Sequence, residues 1–258
     1  MSPSSNNFTM QGLDNKVILI TGASRGIGAA CVNSCLEAGA TVLANCRNAQ
    51  SAEKLSLIIS EKFSKRFHSL IYDVTDSEAL KQQFKFIQSQ FGRLDGLVNN
   101  AGVMQEQALA MTRKIDLEAM FAVNVSAAFE HIQFASRLMM RNKQGSIVNL
   151  GSIVGEYGGK GQAAYAMSKA SLSVLSKSAA KELGPSGIRV NTVAPGFIET
   201  DLTAHYSEAK KQEIMANVPL GRLGLDSDVA NVIRFLLSDD AQYVSGQVIG
   251  VDGALSFP

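Results

Sequence analysis

Seven short apolar runs recur along the chain, at residues 17–20, 41–44, 70–72, 94–98, 147–150, 190–193 and 248–251, and most are continuous rather than alternating. Successive side chains of a strand point to opposite sides of its sheet, so an unbroken apolar run fits a strand covered on both faces. Longer segments of helical period separate the runs. Strand and helix in repeated alternation lead to a parallel sheet with helices on both sides. The expected fold is therefore α/β: one doubly wound parallel sheet, in a single domain over residues 13–258. No internal repeat, low-complexity linker or proline-rich boundary divides that stretch. Apolar residues make up 46% of the 258, enough for a large core. Residues 1–12 are polar and rich in Ser and Asn, and read as a disordered lead-in without the features of a signal peptide. Residues 198–218 break the rhythm, between Pro195-Gly196 and Pro219, and read as a helical flap over the cleft.

The remaining composition mostly excludes. The net charge is +1, which points to neither nucleic acid nor an anionic membrane surface. No stretch approaches the ~18 apolar residues of a membrane span. The cysteines are Cys31, Cys35 and Cys46. An odd number without a CxxC pair argues against a disulfide framework or a zinc site, and suits a reducing, cytoplasmic setting. No metal is expected.

After the first run comes Thr21-Gly22-Ala23-Ser24-Arg25-Gly26-Ile27-Gly28. Glycines at a strand-to-helix turn admit a pyrophosphate close to the backbone, and the following helix offers its N–H groups and dipole. The spacing is G-x-x-x-G-x-G. A dinucleotide fold that takes NAD places an acid about 20 residues further on, on the adenosine ribose. Here no acid stands between Glu37 and Glu53, and the second run ends Ala44-Asn45-Cys46-Arg47-Asn48. An uncharged end followed by Arg47, with Arg25 in the glycine loop, suits the 2′-phosphate of NADP(H).

The run at 147–150 leads through Gly151 and Ser152 into a glycine-dense loop and then a helical stretch at 163–183. Tyr165 and Lys169 stand four apart and share a helix face. A phenol with a pKa of about 10 is rarely ionised at neutral pH. An ammonium beside it favours the phenolate, which would let Tyr165 exchange a proton with a carbonyl or alcohol oxygen. Ser152 is placed to hydrogen-bond the same oxygen.

In order and spacing these residues, with Asp73-Val74, Asn99-Asn100-Ala101-Gly102, Asn124 and Pro195-Gly196, resemble the short-chain dehydrogenase/reductase family, from about Leu13 to the C-terminus. The resemblance implies a Rossmann sheet of seven parallel strands. It implies that Asp73 and Val74 contact the adenine, and that Asn100, Ala101 and Gly102 line the cofactor and steady the central strand. Asn124 corresponds to the asparagine that anchors a water of the proton relay, Ser152 to the serine that orients the carbonyl, and Tyr165 to the acid/base. Lys169 corresponds to the lysine that holds the nicotinamide ribose and lowers the tyrosine pKa. Pro195, Gly196, Ile198 and Thr200 resemble the segment that closes over the nicotinamide. Read without the family, Asn124 is equally a structural hydrogen-bonder and Asp73 a cap for the next helix.

Within the family, the stretches at 151–155, 161–165, 195–202 and 219–224 are similar to those of the 3-oxoacyl-(acyl carrier protein) reductases. That likeness implies NADPH-dependent reduction of a 3-oxoacyl thioester, fatty-acid synthesis as its setting, and a homotetramer joined through the helices near 120–140 and 163–183. In those reductases, basic residues near the mouth receive the acidic carrier. Lys143, with Arg141 beside it, stands at one such position, and Ser186 replaces the basic residue at the other. A reductase or dehydrogenase acting on a sugar, steroid or small alcohol, and a nucleotide-binding scaffold without catalysis, are the alternatives.

Overall fold

The computed structural model describes residues 12–255 apart from Leu202 and His205. Most of the expected lead-in, residues 1–11, lies outside the described residues; Gly12 is exposed.

Seven parallel strands form one sheet in the order β3-β2-β1-β4-β5-β6-β7. They are β1 Val17–Ile20, β2 Thr41–Cys46, β3 Phe67–Ile71, β4 Gly96–Asn99, β5 Gly145–Leu150, β6 Ile188–Pro195 and β7 Val248–Val251. Alternate residues of each strand enter opposite core layers. Ile18, Ile20, Val42 and Val98 pack with the helices α1 (Gly26–Glu37), α2 (Ala49–Ile58) and α9 (Asp226–Leu237). Leu19, Leu43, Leu97 and Val190 pack with α3 (Ser77–Phe91), α5 (Ala127–Asn142) and α7 (Ala163–Leu183). Each such fully buried side chain stabilises the fold by roughly 1.5–3 kcal/mol, which is why the strands need apolar residues on both faces. The short helices α4 (Lys114–Phe121), α6 (Ile153–Tyr157) and α8 (Glu208–Ala216) gather at the carboxyl ends of the strands or beside them.

Of the seven strands only β1 and β7 keep the expected bounds; β2, β5 and β6 run two residues further at one or both ends, and β3 and β4 are displaced. The third strand begins three residues earlier than the apolar run suggests and ends before Tyr72. It is an edge strand, so Phe67, His68 and Ser69 are only half-buried and the apolar signal is diluted. Leu94 and Asp95 precede β4 rather than belonging to it: the Asp95 carboxylate is held by Arg93 and accepts the Val17 amide at 2.9 Å. Among its described residues the expected flap is helical over α8 alone. Its first part is a set of turns tied by Thr203, whose hydroxyl donates to the Ile198 carbonyl at 2.7 Å.

The strand order reverses between β1 and β4. In a doubly wound sheet the crevice beyond the carboxyl ends at that point is where a ligand fits.

Candidate active site

A cavity of about 630 Å³ lies beyond those strand ends. It is lined by residues that follow β1 to β6, so each sequence-selected segment reaches it from a different strand. Gly22, Ser24, Arg25, Gly26 and Ile27 line one end, with Arg47, Asp73 and Val74. Asn100, Ala101, Gly102, Ser152, Tyr165, Lys169, Pro195, Gly196, Ile198 and Thr200 line the rest. Gly28 and Asn124 do not line it: Asn124 is buried, and a Cβ on Gly28 would lie 2.3 Å from the Gly22 carbonyl oxygen.

The glycine loop takes its shape from sterics and from two buried side chains. Gly22 has φ +60°, and a Cβ there would lie 2.8 Å from the Ala101 Cα, so any other residue is excluded twice over. The Asn45 side chain accepts the Gly22 amide at 3.1 Å and donates to the Tyr72 carbonyl at 2.9 Å. Asn100 donates to the carbonyls of Thr21 and Gly22 at 3.0 and 2.9 Å. The Thr21 hydroxyl accepts the amides of Asn100 and Ala101, both at 3.0 Å. Asn100 and Thr21 thereby bond the end of β4 to the end of β1. Asn45 and Thr21 were not singled out from sequence; a polar residue at the end of a buried apolar run was the available signal.

At the end of β2, Cys46 turns into the core while Arg47 stays exposed beside the cavity. Asp73 does not cap a helix; Asp76 caps α3. Asp73 instead accepts the Thr75 amide and hydroxyl at 2.9 and 2.7 Å. Those bonds, and after them the charge of Arg47, hold its carboxyl below the usual range. Arg25 faces across the cleft and pairs with Asp201 at 3.4 Å, both largely exposed.

Ser152, Tyr165 and Lys169 meet at the end of β5. Ser152 opens α6, where its hydroxyl accepts the Val154 amide at 3.2 Å. Gly155 lets α6 lie directly on α7: a Cβ there would sit 2.8 Å from the Ala170 nitrogen. That contact holds Ser152 against Tyr165, one turn before Lys169. The Lys169 ammonium donates to the Leu150 carbonyl at 2.7 Å and lies 5.8 Å from the centre of the Tyr165 ring.

The electrostatics differ from the sequence expectation. Burial raises the Tyr165 pKa, with the Ser152 hydroxyl drawing it partly back, and Lys169 is not among the causes. Burial lowers Lys169 to about 8. Both groups have left water, and desolvation disfavours each one's charged form. The phenol is therefore kept protonated, the state a proton donor needs.

Asn124 lies in a π-helical turn, Ala122–Ser126, that joins α4 to α5. Its side chain accepts the Val103 amide at 2.8 Å and donates to the Val103 carbonyl and the Ser168 hydroxyl at 3.0 and 2.9 Å. Val103 lines the cavity, and the buried Ser168 directly precedes Lys169 on α7. The widened turn has no signature in the apolar pattern, and such turns frequently occur at functional sites.

Lys143 does not stand at the mouth of this chain's cleft. It precedes β5, whereas Ser152 follows it, and a six-residue strand separates the two by about 20 Å. It does neighbour the turn that carries Ser186: a Cβ on Gly187 would lie 2.2 Å from the Lys143 carbonyl oxygen.

Among the described residues no group of three His, Cys, Asp or Glu could hold a metal ion, and no helix is long and apolar enough to cross a membrane.

Comparison with known proteins bears on this geometry. A family profile described as enoyl-(acyl carrier protein) reductase matches residues 22–256. The chain is 41% identical over 243 residues to a 3-oxoacyl-[acyl-carrier-protein] reductase of Thermotoga maritima, covering 94% of this chain and 98% of that one. It is 38% identical over 242 residues to the Escherichia coli protein of the same name, with 94% and 98% covered. Among solved structures, one of a putative gluconate dehydrogenase from Agrobacterium tumefaciens superposes with a TM-score of 0.91 at 27% identity, covering 96% of this chain and 99% of that chain.

Proposed function

Because the chain belongs to the short-chain dehydrogenase/reductase family and is an oxidoreductase of carbonyl or hydroxyl groups, we propose that it reduces a 3-oxoacyl thioester to the 3-hydroxyacyl form with NADPH. The observation that carries this reading is the meeting of Ser152 and Tyr165 beside the buried Lys169, at one end of a cavity whose other end is a glycine cradle. The cradle fits a dinucleotide, since Gly22 leaves no room for a Cβ, and Arg47 and Arg25, which line the same cavity, support the choice of a phosphorylated ribose. When bound, NADPH supplies the hydride that the carbonyl carbon receives.

The chain's own residues supply position and proton. The Ser152 hydroxyl fixes the carbonyl oxygen, and the protonated Tyr165 phenol donates to it as negative charge develops there. Lys169, with a pKa of about 8, holds a proton at neutral pH, anchored on the Leu150 carbonyl beside the Tyr165 ring. Asn124 ties the loop after β4 to α7 and so keeps the two walls of the site in register.

The choice of a 3-oxoacyl thioester, an acyl-carrier-bound form included, follows from the name shared by relatives of about 40% identity. Fatty-acid synthesis in the cytoplasm is the setting that goes with it, and three free, buried cysteines agree with a reducing compartment. The homotetramer belongs to the same proposal. Phe129 and Met140 on α5, and Met167 and Val174 on α7, are 42–64% exposed in the single chain, an apolar face suited to pairing with a second copy. A second reading, a sugar-acid or small-ketone reductase, is favoured by the superposition on a putative gluconate dehydrogenase. A panel followed by NADPH absorbance separates the two: short 3-oxoacyl thioesters, free and carrier-bound, against sugar acids and simple ketones. Turnover of the thioesters is expected; turnover of a sugar acid without any thioester would overturn the substrate assignment.

A further inference from the structure

At one side of the cleft, three segments of chain converge on a single carboxylate. Glu106, in the loop after β4, accepts from the Gln162 side-chain amide at 2.5 Å and from the Tyr206 hydroxyl. Gln162 directly precedes α7, three residues before Tyr165. Tyr206 stands just before α8, and its ring meets Phe197 edge-on with centroids 5.3 Å apart. Alongside, the Gln107 amide donates to the Gly161 carbonyl at 2.7 Å, so the β4 loop and the segment before α7 are bonded twice. The result is a bar from the β4 loop to the segment before α8, across the end of α7 that carries Tyr165. The lining beneath includes the apolar side chains of Met104, Val154 and Phe197.

The bar is both firm and close to the chemistry. A phenol donating to a carboxylate makes a charge-assisted bond, roughly twice as strong as a neutral one. Burial and the Glu106 charge raise the Tyr206 pKa, so the phenol keeps the proton it donates, and Tyr165 is near enough to contribute. No part of the reduction described above uses Tyr206 or Glu106.

Resting on the reading that the cleft takes an acyl carbonyl substrate, we infer that Tyr206 and Glu106 set its acyl-length preference. The bonded phenol closes the apolar end of the cleft; a short acyl chain fits beneath it, and a longer one must break the bond. Tyr206 is on this account a specificity-determining residue that touches the substrate's tail, and Glu106 a positioning residue that acts through it.

The test is kcat/KM for 3-oxoacyl thioesters of four, eight and twelve carbons, in the wild type and in Tyr206→Phe, Tyr206→Ala and Glu106→Gln. The ratio of long to short is taken within each variant, so a loss of folded enzyme cancels. The wild type should prefer four carbons. Tyr206→Ala should raise the eight-to-four ratio at least about tenfold, since a few methylenes in a hydrophobic pocket discriminate by that much or more. Tyr206→Phe and Glu106→Gln should raise it less, with the change in KM rather than kcat. A flat wild-type profile, or a ratio in Tyr206→Ala within about twofold of wild type, would overturn the inference. The same variants are run on methyl ketones of increasing length. Length-dependent turnover of the ketones alone, shifted by the variants in the same sense, would remove the thioester reading and keep the bar; no turnover of either series would remove both.

Discussion

Replacing His131 by Leu should change how stability depends on pH, because His131 is a buried histidine with only one workable protonation state. Its Nδ1 lies 2.7 Å from the Ala127 carbonyl, which can only accept, so that nitrogen carries the proton. Nε2 is then bare and accepts the Tyr72 hydroxyl at 2.9 Å. Tyr72 stacks on the ring and Phe84 meets it edge-on, so water is excluded. Burial pulls the pKa from 6.5 to about 4, against smaller upward pushes from the Ala127 bond and the Glu130 charge. The folded chain therefore declines a proton that the unfolded chain accepts. Stability from this group is complete above pH 6.5, falls as the pH drops through the window, and is gone below about 4. At about 1.4 kcal/mol per pH unit, the window is worth about 3 kcal/mol. His131→Leu leaves the Tyr72 hydroxyl without its acceptor, a cost of roughly 1–3 kcal/mol at neutral pH. Urea unfolding at one fixed chain concentration, repeated between pH of about 7.5 and about 4, should show the variant weaker at the upper end and equal or stronger at the lower. Carboxylates titrate alike in both proteins and drop out of the difference. A gap that stays constant with pH would refute the reasoning. The variant should also bind cofactor less tightly, because the Tyr72 carbonyl holds Asn45, and Asn45 holds the Gly22 amide.

Three further outcomes are expected. Arg47→Ala should weaken NADPH binding by tenfold or more and leave NADH nearly unchanged, since a charge-assisted bond to a phosphate is worth about 1.5–3 kcal/mol; equal losses for both cofactors, by titration calorimetry, would remove the 2′-phosphate assignment. Asp201→Asn should tighten NADPH by no more than about fivefold, because it frees Arg25 from an exposed ion pair worth about 1 kcal/mol at most; a weakened affinity in the same titration would show that Asp201 serves the cofactor some other way. Sedimentation at micromolar concentration should give a tetramer, and charged substitutions at Met167 and Val174 together should lower the assembly state; a wild-type monomer would refute the pairing of α5 and α7.

The sheet was legible because a strand buried on both faces must be apolar throughout, and β1 and β7 ran between the residues expected of them. The edge strand β3 was misplaced for the converse reason: with one neighbour and less cover, it tolerates His68 and Ser69. The cradle was legible at its glycines, where backbone sterics dictate the residue. It was not legible at Asn45 or Thr21, whose partners come from other strands. Tyr165 and Lys169 were paired through their shared helix face, and α7 carries both; the burial that shifts both groups has no mark in the spacing. The junction of Glu106, Gln162 and Tyr206 had no sequence signal. Its members are 44 to 100 residues apart and meet only through the fold.

The central claim is that Tyr165 gives the proton, and single-turnover reduction by Tyr165→Phe tests it most directly. The variant keeps the ring that packs against Met120 and Ala164 and loses only the hydroxyl. General acid catalysis is typically worth ~10²–10⁴-fold, so the rate on a short 3-oxoacyl thioester at saturating NADPH should fall by that factor, with NADPH affinity retained. A Tyr165→Phe enzyme that turns over within about twofold of the wild type would contradict the account.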